Sequence, residues 1–125
     1  AQKLPIVWIQ QMEEEDGTVP GTEPFELIAP LEPVEGDYHI VKTYSNSFNK
    51  TDLHDILQRE GVDTVIISGY CAEYCVTATL FGAEDRDYTA ILYRGGIASG
   101  SKENLQAVER AYAVISYEAL KAWLK

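Results

Sequence analysis

The sequence predicts an α/β fold, a parallel sheet covered by helices on both faces, and three observations carry that prediction. Short β-branched and aromatic runs alternate with amphipathic stretches along the chain. The runs are apolar at consecutive positions rather than at every second one, the pattern of strands buried on both faces. Glycines and candidate capping residues separate them as strand, loop and helix units, and such alternation implies a parallel sheet.

The elements follow in order. Pro5-Ile6-Val7-Trp8-Ile9-Gln10 reads as a strand and stops at Glu13-Glu14-Glu15-Asp16, a solvated loop. Between Gly17 and Gly36, Pro20, Pro24, Pro30 and Pro33 limit helix to one short turn around Phe25 to Ile28. Loops of that length in compact domains are often functional. Tyr38 to Thr43 forms the second strand; Thr51 is placed as the N-cap of a helix that buries Leu53, Ile56 and Leu57 and ends at Gly61. Asp63 to Gly69 reads as a central parallel strand. A helix is expected to begin close to Cys75 and run to Arg86, followed by a strand from Tyr88 to Tyr93 that Gly95-Gly96 breaks. Lys102 to Ala113 has the spacing of an amphipathic helix, with Leu105, Val108 and Tyr112 on one side. A short strand, Ala113 to Ser116, leads to a last helix carrying Leu120, Trp123 and Leu124. Ligands of such sheets bind beyond the carboxyl ends of the strands, which points to the residues after Lys42 and after Gly69.

Composition bounds the function classes. With 125 residues, 46% apolar and 24% charged, the chain predicts one domain, residues 1 to 125. Its net charge of -10, with no basic stripe, argues against nucleic acid and anionic membrane surfaces as partners. No apolar window approaches the ~20 residues of a membrane span, and no basic start precedes an apolar core, so the expected location is cytoplasmic. Cys71 and Cys75 are too few for a secreted disulfide framework and read as reduced thiols.

The chemistry concentrates in Ser68-Gly69-Tyr70-Cys71-Ala72-Glu73-Tyr74-Cys75-Val76-Thr77, which leaves a strand and enters a helix. Unpaired N–H groups and the positive end of the helix dipole favour a thiolate near the helix start. The same N–H groups can stabilise an oxyanion on a substrate carbonyl. On these residues alone the nucleophile is only suggested and a buried structural cysteine is the reading favoured, since free cysteine packs as a small hydrophobe.

This segment resembles the isochorismatase-like hydrolases, which carry a glycine, a short loop, then Cys-Val and a threonine-bearing helix, as in Gly69 to Cys75-Val76 and Thr79. Lys42, Ser47-Phe48 and Thr51-Asp52-Leu53 resemble the family's lysine strand and the loop and helix after it, while Gly21-Thr22, Glu26-Leu27 and Gly36-Asp37 match the segment before. The resemblance runs from about Pro5 to the C-terminus. It implies a three-layer, Rossmann-like sheet and a Cys-Lys-Asp triad acting on small amides through a thioester. In that scheme Cys75 attacks, Lys42 is its cationic partner, and the N–H groups of Cys71 and Cys75 form the oxyanion hole. It also implies a cis peptide at Tyr70-Cys71. Phe48, Tyr74 and Trp8 are candidates for the substrate pocket. The metal-ligating Asp-x-His of the family's nicotinamidases has no counterpart near Glu13 to Asp16, so neither metal nor other cofactor is expected.

The resemblance also defines what residues 1 to 125 do not contain. The family's aspartate ends a first strand that, with the helix after it, precedes the strand resembling Pro5 to Gln10. That strand belongs near the middle of the sheet, so a further N-terminal segment of the same polypeptide is expected to supply both it and the carboxylate. Gly95 and Ala72 stand where the family commonly has an aspartate and a serine or threonine. A small-molecule substrate and a homo-oligomer are expected. The competing readings are a non-catalytic binding or scaffold protein and a thiol redox module built on Cys71 and Cys75, although redox motifs favour two intervening residues and this pair has three.

Overall fold

In this computed structural model, which describes residues 4–125, the strands form two parallel sheets instead of one. The first pairs β1 (Val7–Gln11) with β2 (Tyr38–Lys42), in a register that sets Gln11 opposite Lys42. The second has the order β3 (Thr64–Tyr70), β4 (Thr89–Ala98), β5 (Val114–Ile115), again all parallel. The helices α1 (Leu53–Arg59), α2 (Thr77–Glu84), α3 (Lys102–Ala111) and α4 (Tyr117–Trp123) follow β2, β3, β4 and β5 in turn. This α/β arrangement agrees with the expected fold class. Between the sheets lies a cleft of about 520 Å³, lined by Leu4 to Val7 on one side and by Thr64 to Tyr70 on the other. Consecutive residues line both sides, and β1 and β3 are each an edge strand of their sheet, with one side left without a strand partner among the described residues.

One core joins the two halves. Ile40 from β2, Leu53, Ile56 and Leu57 from α1, Leu80 from α2 and Leu92 from β4 are all buried in it. Leu92 is fully enclosed because β4 is the central strand of its sheet, flanked by β3 and β5. Burial along β2 alternates, with Ile40 and Lys42 inside and His39 and Val41 outside, so the strand's twofold repeat turns Lys42 inward.

Several boundaries differ from expectation. The helical turn placed at Phe25 to Ile28 lies earlier, where the N–H groups of Phe25 and Glu26 both reach the carbonyl of Thr22. Thr51 is not the N-cap: α1 opens after Asp52, while the Thr51 hydroxyl donates to the carbonyl of Ser47 at 2.5 Å and accepts the Leu53 N–H at 3.3 Å. Gly95 and Gly96 do not end β4, which continues to Ala98 after a shift in register against β3. Gly95 has φ +86°, and a Cβ on Gly96 would lie 2.2 Å from the Tyr93 ring, so glycine lets the strand deform there and continue. Glu14–Asp16 makes a single exposed 3-10 turn closed by Gly17 at φ +82°. No helix among the described residues is long and apolar enough to cross a membrane.

Candidate active site

Lys42 ends β2, and Cys75 lies in a π-helical turn, Ala72–Val76, interposed between β3 and α2. The helix expected to start near Cys75 therefore becomes regular only at Thr77. Lys42 sits at the carboxyl end of its strand and Cys75 just beyond that of β3, and both line the inter-sheet cleft. The Lys42 ammonium, on a residue only 6% exposed, lies 3.5 Å from Cys75 Sγ. Its other acceptors are the Gln11 side-chain oxygen and the carbonyls of Tyr44 at 2.9 Å and Ser45 at 3.3 Å. These are three neutral oxygens and one sulfur. A buried ammonium gains most from a full negative charge nearby, and Cys75 Sγ is the one atom of this set that can carry one.

Two loops meet at this point because α2 holds the loop after β2. Thr79 Oγ1 accepts the Ser47 N–H at 3.1 Å and lies 2.8 Å from Ser47 Oγ, with both residues buried. Beside them Gly82 faces Asn46, whose Oδ1 accepts the Phe48 N–H at 2.9 Å. Side-chain and packing contacts from the helix after Cys75 thus set the path of Tyr44 and Ser45, whose carbonyls cradle Lys42.

The other candidates separate. Phe48 and Tyr70 line the cleft, but Phe48 is only 5% exposed and stacks on Tyr88 at 5.8 Å, which makes it largely a core residue. Trp8 and Tyr74 are not among the lining residues. Trp8 donates its indole N–H to Asp37 at 2.7 Å, and Tyr74 is 66% exposed. The Tyr70–Cys71 peptide is cis, at the position the resemblance implied. Among the described residues, no three His, Cys, Asp or Glu side chains converge as a metal site.

The sequence model described as "Isochorismatase domain" matches residues 1–117. The chain belongs to the isochorismatase family. A crystal structure of an isochorismatase-like hydrolase from Alkaliphilus metalliredigens superposes with a TM-score of 0.88 at 29% identity, covering 96% of this chain and 66% of that one. N-carbamoylsarcosine amidase from Thermoplasma acidophilum gives 0.76 at 27% identity, covering 90% and 71%. The isochorismatase family protein YddQ of Bacillus subtilis is 38% identical over 69 residues, which are 55% of this chain and 38% of that protein. The chain thus spans about two-thirds of its solved relative from Alkaliphilus.

Within this isochorismatase-family site, Glu73 is one of two residues that sequence reasoning missed. Its carboxylate accepts the Cys71 S–H at 2.7 Å, the Ser99 hydroxyl at 2.9 Å and the Asn104 amide at 2.6 Å. These donors, Cys71 foremost and then Ser99, hold its carboxyl down at about 2 from an ordinary 4.5. A folded-state value below the unfolded one contributes stability that is full above about pH 4.5 and lost as pH falls towards 2. Urea midpoints measured from pH 5 to pH 2 are therefore expected to fall less steeply in Glu73→Gln than in the native chain. Gln11 was also missed, although its place opposite Lys42 on the neighbouring strand is a signal that pairing β1 with β2 would have supplied.

Proposed function

We propose that the chain carries the nucleophile and its cationic partner of a metal-independent cysteine hydrolase that opens a small amide or related C–N bond. The observation that carries this reading is the Lys42 ammonium, buried and 3.5 Å from Cys75 Sγ at the wall of an open cleft. Membership of the isochorismatase family and the likeness to a protein named as an amidase agree with it.

In this mechanism Cys75 Sγ attacks the substrate carbonyl carbon while Lys42 offsets the charge on the sulfur. The carbonyl oxygen becomes an oxyanion facing the N–H groups of Cys71 and Cys75. The C–N bond breaks, the amine leaves with a proton, and a thioester remains on Cys75. Water then adds to the thioester, giving up a proton, and sulfur departs. Both half-reactions need a proton acceptor, and a charged lysine is a donor only. That acceptor is assigned to a carboxylate from outside residues 1–125, on a strand seated in the cleft against the open edges of β1 and β3. Such a strand would pair with backbone on both sides, in line with the cost of leaving buried peptide groups unpaired.

The test follows ammonia release from a panel of small primary amides and carbamoyl compounds, using the polypeptide with its cleft-filling strand. Samples are taken before and after one equivalent of iodoacetamide, with the modified residue located by peptide mapping. Loss of release in step with modification of Cys75 is expected. Release that survives full modification of Cys75 would overturn the proposal.

A further inference from the structure

We propose that Glu73 is a positioning residue, one that clamps the Cys75 turn to the start of α3 and occupies the Cys71 thiol, leaving Cys75 the reactive member of the pair. The inference rests on the reading of Cys75 as nucleophile and extends it to the residue that selects between two thiols in one short loop.

The geometry is a continuous chain of contacts. Glu73 lies in the Ala72–Val76 turn, two residues before Cys75. One carboxylate oxygen accepts from Cys71 in the same loop. The other accepts from Ser99, just past the end of β4, and from Asn104, in the first turn of α3. Ser99 Oγ in turn accepts the Ser101 N–H at 3.0 Å, and Ser101 caps α3 by accepting the Asn104 N–H at 3.2 Å. One side chain thereby joins the nucleophile turn to an N-capped helix reached through a different strand. Rigid placement of this kind is what a nucleophile and its oxyanion donors require, because small displacements carry large costs in rate.

Electrostatics adds selection to position. Alkylation proceeds through the thiolate, and the two sulfurs have partners of opposite sign. Cys71 Sγ contacts a carboxylate oxygen at 2.7 Å, whereas Cys75 Sγ faces the Lys42 ammonium at 3.5 Å. Negative charge on Cys71 is opposed and on Cys75 supported. Burial points the same way, with Cys71 8% exposed and Cys75 only half-buried.

The experiment measures iodoacetamide rates at the two cysteines separately, by peptide mapping at a fixed neutral pH. It compares the native chain with Glu73→Gln and Asn104→Ala, with melting curves recorded for each. Glutamine keeps the side-chain length but removes the charge. Cys71 alkylation is expected to rise about tenfold relative to Cys75 in Glu73→Gln, and about fourfold in Asn104→Ala, where the carboxylate loses one anchor. A purely structural role would lower the melting temperature, or speed both thiols together, without changing their ratio. A ratio within twofold of native in both variants, or one shifted towards Cys75, overturns the proposal. Should Glu73→Gln fail to fold, Asn104→Ala decides by the same criterion. A native chain in which Cys75 is no faster than Cys71 would defeat the nucleophile reading, whereas the Glu73 clamp is judged on the change that each variant causes.

Discussion

Replacing Lys42 by methionine is expected to slow carbamidomethylation of Cys75 about tenfold while leaving the stability of the fold within about 1 kcal/mol of native. The rate effect follows from the ammonium 3.5 Å from Sγ. At an effective dielectric constant of about 20, two unit charges at this range attract by about 5 kcal/mol. Cys75 is half-buried, so solvent weakens that attraction. A thiolate that is less stabilised is also intrinsically more nucleophilic, which returns part of the loss. The stability expectation has a different source. Methionine is close to lysine in length, and it removes a buried charge whose hydrogen-bond partners include no carboxylate. Tyr44 and Ser45 are exposed, so water can reach the carbonyls that lose their donor. Rate and stability are thus expected to separate, and a urea melt beside the alkylation time course checks both. A variant that loses several kcal/mol, or one that alkylates at the native rate, would show that Lys42 acts on the fold rather than on Cys75.

The legible parts of this site were those written in local pattern. The apolar runs at Val7 and Thr64 located β1 and β3, and the parallel-sheet rule then directed attention to the ends of the strands, where Lys42 and Cys75 stand. The glycine pair Gly95-Gly96 misled because glycine has two uses in a strand, and separating them requires knowing that the Tyr93 ring lies against Gly96. Thr51 misled in a related way, since its hydroxyl is engaged across the turn with Ser47 and the helix opens one residue later. Glu73 was invisible because its meaning lies in Ser99 and Asn104, 26 and 31 residues away, and no periodicity relates them. The open edges of β1 and β3 were anticipated only through resemblance to relatives, because nothing in a strand's own residues says whether its neighbour is present.

Gly82→Ala is expected to destabilise the chain by about 1 to 3 kcal/mol and to slow Cys75 alkylation, although Gly82 touches neither Cys75 nor Lys42. An alanine Cβ there would fall 2.3 Å from Asn46 Oδ1 and 2.8 Å from its Cγ, distances no packed side chain tolerates. Asn46 is short, so it can yield only by rotating away and giving up the Phe48 N–H, or by moving the backbone of its loop. In an ordinary helix interior the same substitution gains about 1 kcal/mol from helix propensity. The sign of the result therefore reports whether α2 and the loop after β2 are in hard contact. Displacement of that loop moves the carbonyls of Tyr44 and Ser45, which hold the Lys42 ammonium at its distance from sulfur. The second substitution Asn46→Ala separates the two effects, since it removes the clash and the Phe48 hydrogen bond together. Gly82→Ala placed in an Asn46→Ala background should cost less than Gly82→Ala alone, and a double-mutant cycle on urea midpoints measures the difference. Strict additivity of the two changes would mean that α2 does not press on this loop, and that the placement of Lys42 depends on the Ser47 to Thr79 hydrogen bonds alone.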